Sequence, residues 1–387
     1  LMDFDLIYEG VKEPSLFGRY ITNEHIEPLL EELKQHFTVG IEGYSAEGLA
    51  VYNIVAGTGD TRIFMWSQMH GNESTTTKAI FDFLNLLKSG NNEAQKLLDH
   101  FTFYILPVLN PDGARLYTRA NANGVDLNRD SVNLSQPESK LLRQAFENFK
   151  PDYCYNMHDQ RTIFGVGEEQ IKPATVSFLA PSYNAARDIN ENRQVAINLI
   201  AVMNDELQKH IPGQIGRFDD SFNINCIGDM FQSCGVPTVL FEAGHYQNDY
   251  EREITRKLIF IALFSGFLAI YENVLVVNKN LEYFNIPQNK IVFYDIIYKK
   301  VKINYENKEK ITNFASQYTE VLIDKSVIFR AFIREIGNLD GCAAHAEFDC
   351  EQEEFTAEDG SGLPIIDAKA DFFIGKSRKF VNGLENI

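Results

Sequence analysis

His70-Gly71-Asn72-Glu73 sets an imidazole and a carboxylate three residues apart, and the chain contains no other His-x-x-Glu. A loop that runs into a helix can aim both groups at one point, and zinc accepts just such nitrogen and oxygen ligands. The pair follows the apolar run Arg62 to Gln68 (RIFMWSQ), which reads as a buried strand, so it must be satisfied by hydrogen bonds or by a metal. His158 closes a second short run, Tyr153 to Met157, and is the natural third ligand; a hydrogen-bonded core histidine is the plainer alternative. Three protein ligands would leave one position open, as catalytic rather than structural zinc requires.

Glu242 follows VPTVLF and precedes Ala243-Gly244, small residues that leave room in front of it. A carboxylate there can act as a base on water beside the metal and pass the proton to a leaving nitrogen. His245, from the same loop, competes as a metal ligand or serves at the rim. Between these segments, Thr118 to Asp130 (TRANANGVDLNRD) brings Arg119, Asn128 and Arg129 into an Asn/Gly-rich loop with little hydrophobic purpose. The planar fork of an arginine suits a substrate carboxylate, and a second arginine could stabilise an oxyanion. Asp126 could orient a ligand histidine by accepting its second ring proton.

The elements that must position these groups alternate. Helical spacing is read at Ile26 to Phe37, Thr75 to Lys88 and Asp188 to His210, and Ser135-Gln136-Pro137-Glu138 reads as a capping box opening another helix. Strands are read at Leu49 to Ala56, Arg62 to Gln68, Phe101 to Leu109, Tyr153 to Met157 and Val236 to Phe241, with Asn110-Pro111-Asp112-Gly113 as a dense turn. This pattern predicts an α/β fold with a mixed, mainly parallel central sheet flanked by helices. Active sites of such sheets collect beyond the carboxyl ends of the strands, where His70, His158 and Glu242 fall. After Val277 helical spacing fades and Lys290 to Asn304 and Ser326 to Glu335 look extended. We therefore expect a catalytic domain over residues 1–280 and a smaller, β-rich C-terminal domain over 281–387, with the acidic stretch Cys350 to Asp359 as a solvated loop.

A formal charge of −18 in 387 residues, with no Lys/Arg-rich stripe, argues against nucleic acid as a partner. Five scattered cysteines without a CxxC pair argue against a disulfide framework or a thiolate metal site. No basic segment followed by an apolar core opens the sequence, so a cytoplasmic location is expected. The apolar stretch Leu258 to Tyr271 is shorter than the roughly 20 residues a bilayer needs and reads as a buried helix, with no membrane partner.

Taken together, HGNE at 70–73, NPDG at 110–113, NANGVDLNR at 121–129, strand-terminal His158 and FEAG at 241–244 resemble the zinc metallocarboxypeptidase family, over about Thr61 to Tyr271. The resemblance implies one Zn2+ per chain held by His70, Glu73 and His158, with Glu242 as the catalytic glutamate and Asp126 behind the first zinc histidine. It further implies that Asn128 and Arg129 bind the substrate's terminal carboxylate and that Arg119 polarises the scissile carbonyl, with Arg115 as a rival. Two departures stand out. The family's Asn-Arg-Asn is Asn128-Arg129-Asp130 here, and Gly216 to Asn225 holds no tyrosine to reach over the substrate, leaving Tyr246 as a substitute. The expected function is hydrolysis of an amide bond next to a free carboxylate, in a peptide or amino-acid amide. The alternatives are a zinc amidase or deacylase acting on N-acyl amino acids or peptidoglycan fragments, and a non-catalytic carboxylate-binding module.

Overall fold

Strand Thr61–Ser67 shows how the architecture arises. Ile63 and Met65 point into one apolar cluster and Phe64 and Trp66 into another, and all four are fully buried. A strand covered on both faces must be apolar at every position, which is why it reads as a continuous run rather than an alternation.

The computed structural model describes residues 3–386. It divides into two units, one running up to Gln160 and over Val166–Asn289, the other comprising Arg161–Gly165 and the chain from Lys290 onward. The first unit begins with helices α1 (Phe4–Val11) and α2 (Asn23–Leu33), then strands β1 (Thr38–Tyr44), β2 (Ala50–Ala56) and β3 (Thr61–Ser67). Next come α3 (Thr75–Lys88), α4 (Asn92–His100), β4 (Phe101–Leu106), α5 (Pro111–Leu116), α6 (Pro137–Phe149) and β5 (Tyr153–Asp159). It continues through β6 (Val176–Leu179), α7 (Glu191–Leu207), β7 (Ile215–Arg217), α8 (Ile227–Ser233), β8 (Thr238–Ala243) and α9 (Glu253–Tyr271).

The eight strands form one sheet in the order β1-β2-β4-β3-β5-β8-β6-β7. Its centre, β4-β3-β5-β8, is parallel, while β1, β2 and β6 join antiparallel. The mixed, mainly parallel α/β sheet expected from the sequence is therefore present. Side chains of α3, α7 and α9 form one apolar layer with the sheet, and those of α6 and α8 form the other. Each fully buried Leu, Ile or Phe in these layers contributes about 1.5–3 kcal/mol. Helix α9 is the expected buried helix, extended back to Glu253, and although its 19 residues are long and apolar enough to cross a bilayer, most of it lies inside the core. A buried ion pair ties it to α3: Arg256 Nε and Nη2 each donate to Asp82 at 2.7 Å, while both Nη groups also donate to the carbonyls of Leu16 and Glu13.

Several expectations need correction. The capping box at Ser135 does not form: α6 begins at Pro137, its N-cap Gln136 makes no side-chain cap bond, and Asp130 accepts the Ser135 and Gln136 N–H groups instead. Asn110-Pro111-Asp112-Gly113 is the first turn of helix α5 rather than a simple turn, because the Asn110 side chain caps Gly113 N–H at 2.8 Å and Pro111 fits the first helical position.

In the second unit, strands Ser326–Gly337, Lys308–Ile323, Phe293–Tyr305 and Ala343–Asp349 lie in that order, with only the last pairing parallel. Tyr298, Phe314, Phe355, Phe372 and Phe380 form its apolar centre. The stretch Cys350 to Asp359 is only partly the solvated loop expected, since Phe355–Ala357 pairs with Phe372–Ile374 and Cys350 is buried.

Candidate metal centre

Loop packing at the end of β3 fixes where His70 and Glu73 can point. Gln68 takes a left-handed backbone (φ 46°), and its buried amide donates to the carbonyls of Ile21 and Gly71. Asn110 N–H returns to Gln68 O at 3.0 Å, and Asn110 Nδ2 donates to Met69 O. The two loops touch backbone to backbone: a Cβ on Gly71 would sit 1.9 Å from the carbonyl carbon of Gly113. Gly71→Ala must separate them, and overpacking of this kind costs about 1–3 kcal/mol or more. Its thermal midpoint is expected to fall by several degrees, together with metal affinity; an unchanged midpoint in a thermal melt would contradict this packing.

Strands then bring the other groups alongside. Glu242 of β8 is in parallel register with His158 of β5, and both strands end where the loop after β3 begins. His70 and His158 are buried at 1% and 2% exposure and Glu73 at 9%, so none can rely on water for its hydrogen bonds. His70 Nδ1 lies 2.9 Å from Glu73 Oε1, His158 Nδ1 lies 2.9 Å from Glu73 Oε2, and the two Nδ1 atoms are 3.1 Å apart. Tetrahedral zinc with bonds of roughly 2.0–2.1 Å spaces its ligand atoms by about 3.3 Å. These three side chains could thus hold a metal ion, and they form the only such cluster among the described residues.

The surroundings prepare both histidines. His70 Nε2 is 2.9 Å from Asp126 Oδ1, a bond that places the ring proton on Nε2 and leaves the Nδ1 lone pair facing the cluster. Burial would push the Glu73 carboxyl up, but its interactions with His70, and after it His158, outweigh that and hold it low. Burial opposes ionisation of Asp126 as well, and there His70 and Arg119 prevail. His158 is lowered, chiefly by burial, which keeps it neutral and ligand-competent. Burial drives Glu242 well above the usual carboxylate range, reinforced by the charges of Glu73 and Asp159; its Oε2 is buried without a hydrogen-bond partner among the described residues. A divalent cation at the cluster would offset that crowding of carboxylates, so the donor set and its field both fit zinc. Asp126→Asn, which weakens the support of His70, is expected to lower zinc affinity about 10–100-fold in competition with a chromophoric chelator; undiminished affinity would remove Asp126 from the centre.

The remaining sequence candidates fall as follows. Arg119 reaches the centre, donating from Nη1 to Glu73 Oε1 at 3.2 Å and from Nε to Asp126 Oδ2 at 3.1 Å, with half of its side chain exposed. Arg115 instead pairs with Glu47, away from the cluster. Asn128 N–H donates to Asp126 Oδ1 at 2.9 Å, which links the loop to His70, and Arg129 is exposed with Nη1 on Asn128 O. Asp130 is turned inward onto Ser135 and Gln136. His245 is buried against Tyr250 and is not a member of the ligand cluster, and Tyr246 packs on the large apolar core. Sequence reasoning missed Asp159, whose N–H donates to Glu73 Oε2 and whose Oδ2 accepts from Thr75 N–H. Its place directly after a candidate ligand was the available signal.

The zinc carboxypeptidase family model matches residues 23–176. Carboxypeptidase 2 of Trichophyton tonsurans is 30% identical over 145 residues, 36% of this chain and 26% of that protein. Carboxypeptidase E of Caenorhabditis elegans is 31% identical over 165 residues, again 36% of this chain and 35% of that one. The chain thus matches about a quarter to a third of the length of these relatives. Among solved structures, a metallo-carboxypeptidase of Burkholderia cenocepacia superimposes with a TM-score of 0.53 at 18% identity, over 66% of this chain and 70% of that one. Carboxypeptidase A of Helicoverpa armigera gives 0.50 at 16%, over 70% and 79%. At such identities the structures show a shared fold. HGNE, NPDG and His158 all lie inside residues 23–176, the stretch that the zinc carboxypeptidase family model matches.

Proposed function

We propose that this chain is a zinc-dependent carboxypeptidase-type hydrolase that cuts the amide bond next to a free carboxylate in a peptide or amino-acid amide. The observation that carries this reading is the convergence of His70 Nδ1, His158 Nδ1 and the Glu73 carboxylate, with Glu242 in register beside His158. In this reading His70, Glu73 and His158 hold the metal, which when bound polarises a carbonyl and makes water more acidic. Glu242, part-buried and crowded by neighbouring carboxylates, takes a proton from the attacking water and delivers it to the leaving nitrogen. Arg119, half-exposed at the edge of the cluster, stabilises the oxyanion that develops on the carbonyl oxygen. Arg129, exposed on the loop that Asp126 ties to His70, pairs its guanidinium with the substrate carboxylate, helped by Asn128. Asp130 does not oppose that anchor, because its carboxylate is spent on the start of α6.

The test is release of single C-terminal residues from N-blocked peptides by zinc-loaded protein, compared with the same peptides amidated at the C-terminus. Trimming confined to the free-acid peptides is expected. Cleavage of N-acyl amino acids without trimming of any peptide would replace this reading with an amidase or deacylase.

A further inference from the structure

We propose that Ser131 is a positioning residue that latches residues 224–227 onto the 126–131 loop and so makes that segment the second wall of the carboxylate anchor; this rests on the function proposed above. Ser131 is 2% exposed, and its hydroxyl donates to Ile224 O at 2.6 Å. Its N–H reaches Asn225 O at 3.4 Å, and its own carbonyl accepts from Arg143 Nη2 at 3.0 Å. One step away, Ile227 N–H donates to Asn128 Oδ1 at 3.1 Å. Residues 224, 225 and 227 are thereby tied to 131 and 128, which sets Cys226, between them, alongside the loop that carries Arg129.

The rest of that segment is held locally. Asn225 N–H bonds Asn223 Oδ1, Cys226 N–H bonds Asn223 O, and Asn223 N–H bonds Asp229 Oδ2. These bonds shape the turn but do not place it against Arg129. A flexible, exposed arginine binds a carboxylate well only when its rotamers are restricted beforehand, since ordering a long side chain opposes binding. The wall at Cys226 supplies that restriction, and the buried hydroxyl of Ser131 holds the wall. Asn128 makes the arrangement continuous with the metal centre: its N–H is on Asp126, which supports His70, and its side chain is on the first turn of α8.

Loss of the hydroxyl should not unfold the protein, because Ile224 is 37% exposed and its carbonyl can turn to water. The experiment measures binding of two probes to the zinc-loaded full chain by calorimetry. One is 3-phenylpropionate, which needs the carboxylate anchor, and the other is acetohydroxamate, which is directed to the metal. In Ser131→Ala, affinity for 3-phenylpropionate is expected to drop about three- to ten-fold, the worth of one hydrogen bond, with acetohydroxamate affinity and zinc content unchanged. Ser131→Gly, which leaves no methyl in the polar site, must show the same split. Equal affinity for 3-phenylpropionate in wild type and variants, or a parallel loss of both probes, would overturn the proposal. Wild-type protein that binds acetohydroxamate but not 3-phenylpropionate would remove the anchor itself, and the inference with it.

Discussion

Glu242→Gln is expected to lose about a thousand-fold in kcat on a free-acid peptide while keeping its zinc, because the amide has the carboxylate's shape but cannot accept a proton. The effect on stability should run the other way. The Glu242 carboxyl is raised by burial and by Glu73 and Asp159, so at neutral pH its charge is costlier in the folded chain than in the unfolded one. That cost is relieved as pH falls through the raised folded value. The neutral glutamine removes it at every pH. In the zinc-free protein, the variant's thermal midpoint should therefore equal or exceed that of the wild type. Turnover within tenfold of wild type would move the base elsewhere.

His158→Ala is the second large effect. It removes one of three ligand atoms and leaves Glu73 Oε2 and His70 Nδ1 without their shared neighbour. Loss of supporting residues such as Asp126 costs about 10–100-fold in metal affinity. Loss of a ligand itself should exceed that, and activity should vanish with the metal. A thermal readout separates this from misfolding. Zinc at a hundred times its dissociation constant stabilises the wild type by about 2.7 kcal/mol, so added zinc should raise the wild-type midpoint and leave the variant's unmoved. An equal zinc-induced rise in both proteins would show that the metal sits elsewhere.

The legible parts of the sequence were those where one physical demand dominates. Strands β3, β4, β5 and β8 are buried on both faces, so they appear as unbroken apolar runs whatever surrounds them. Strand β1 was missed because it is a half-exposed edge with glycines at 40 and 43 and no buried face to impose a pattern. Helix α4 was hidden by a polar surface, although Asn91 caps it at Ala94 N–H. His70, Glu73 and Glu242 could be found from their positions at strand ends. His158 needed the ordered motifs around it, since one histidine at a strand end equally suits a core hydrogen bond. The cost of Glu242's charge, the inward turn of Asp130 and the Ser131 latch were not legible at all. Two depend on a partner far away in the chain, Glu73 for Glu242 and Ile224 for Ser131, and the third on how the folded loop turns Asp130 onto Ser135 and Gln136. Asp130 shows the consequence most clearly: next to Arg129 in sequence it reads as a charge at the substrate site, yet its oxygens accept the Ser135 and Gln136 N–H groups just ahead of α6.

The central claim is that His70, Glu73 and His158 hold one zinc through Nδ1, carboxylate oxygen and Nδ1. Anomalous diffraction at the zinc edge from crystals of the zinc-loaded chain tests it most directly. A single strong peak is expected within about 2.0–2.2 Å of those three groups. A peak bound by other residues, or none in protein soaked with excess zinc, would contradict it.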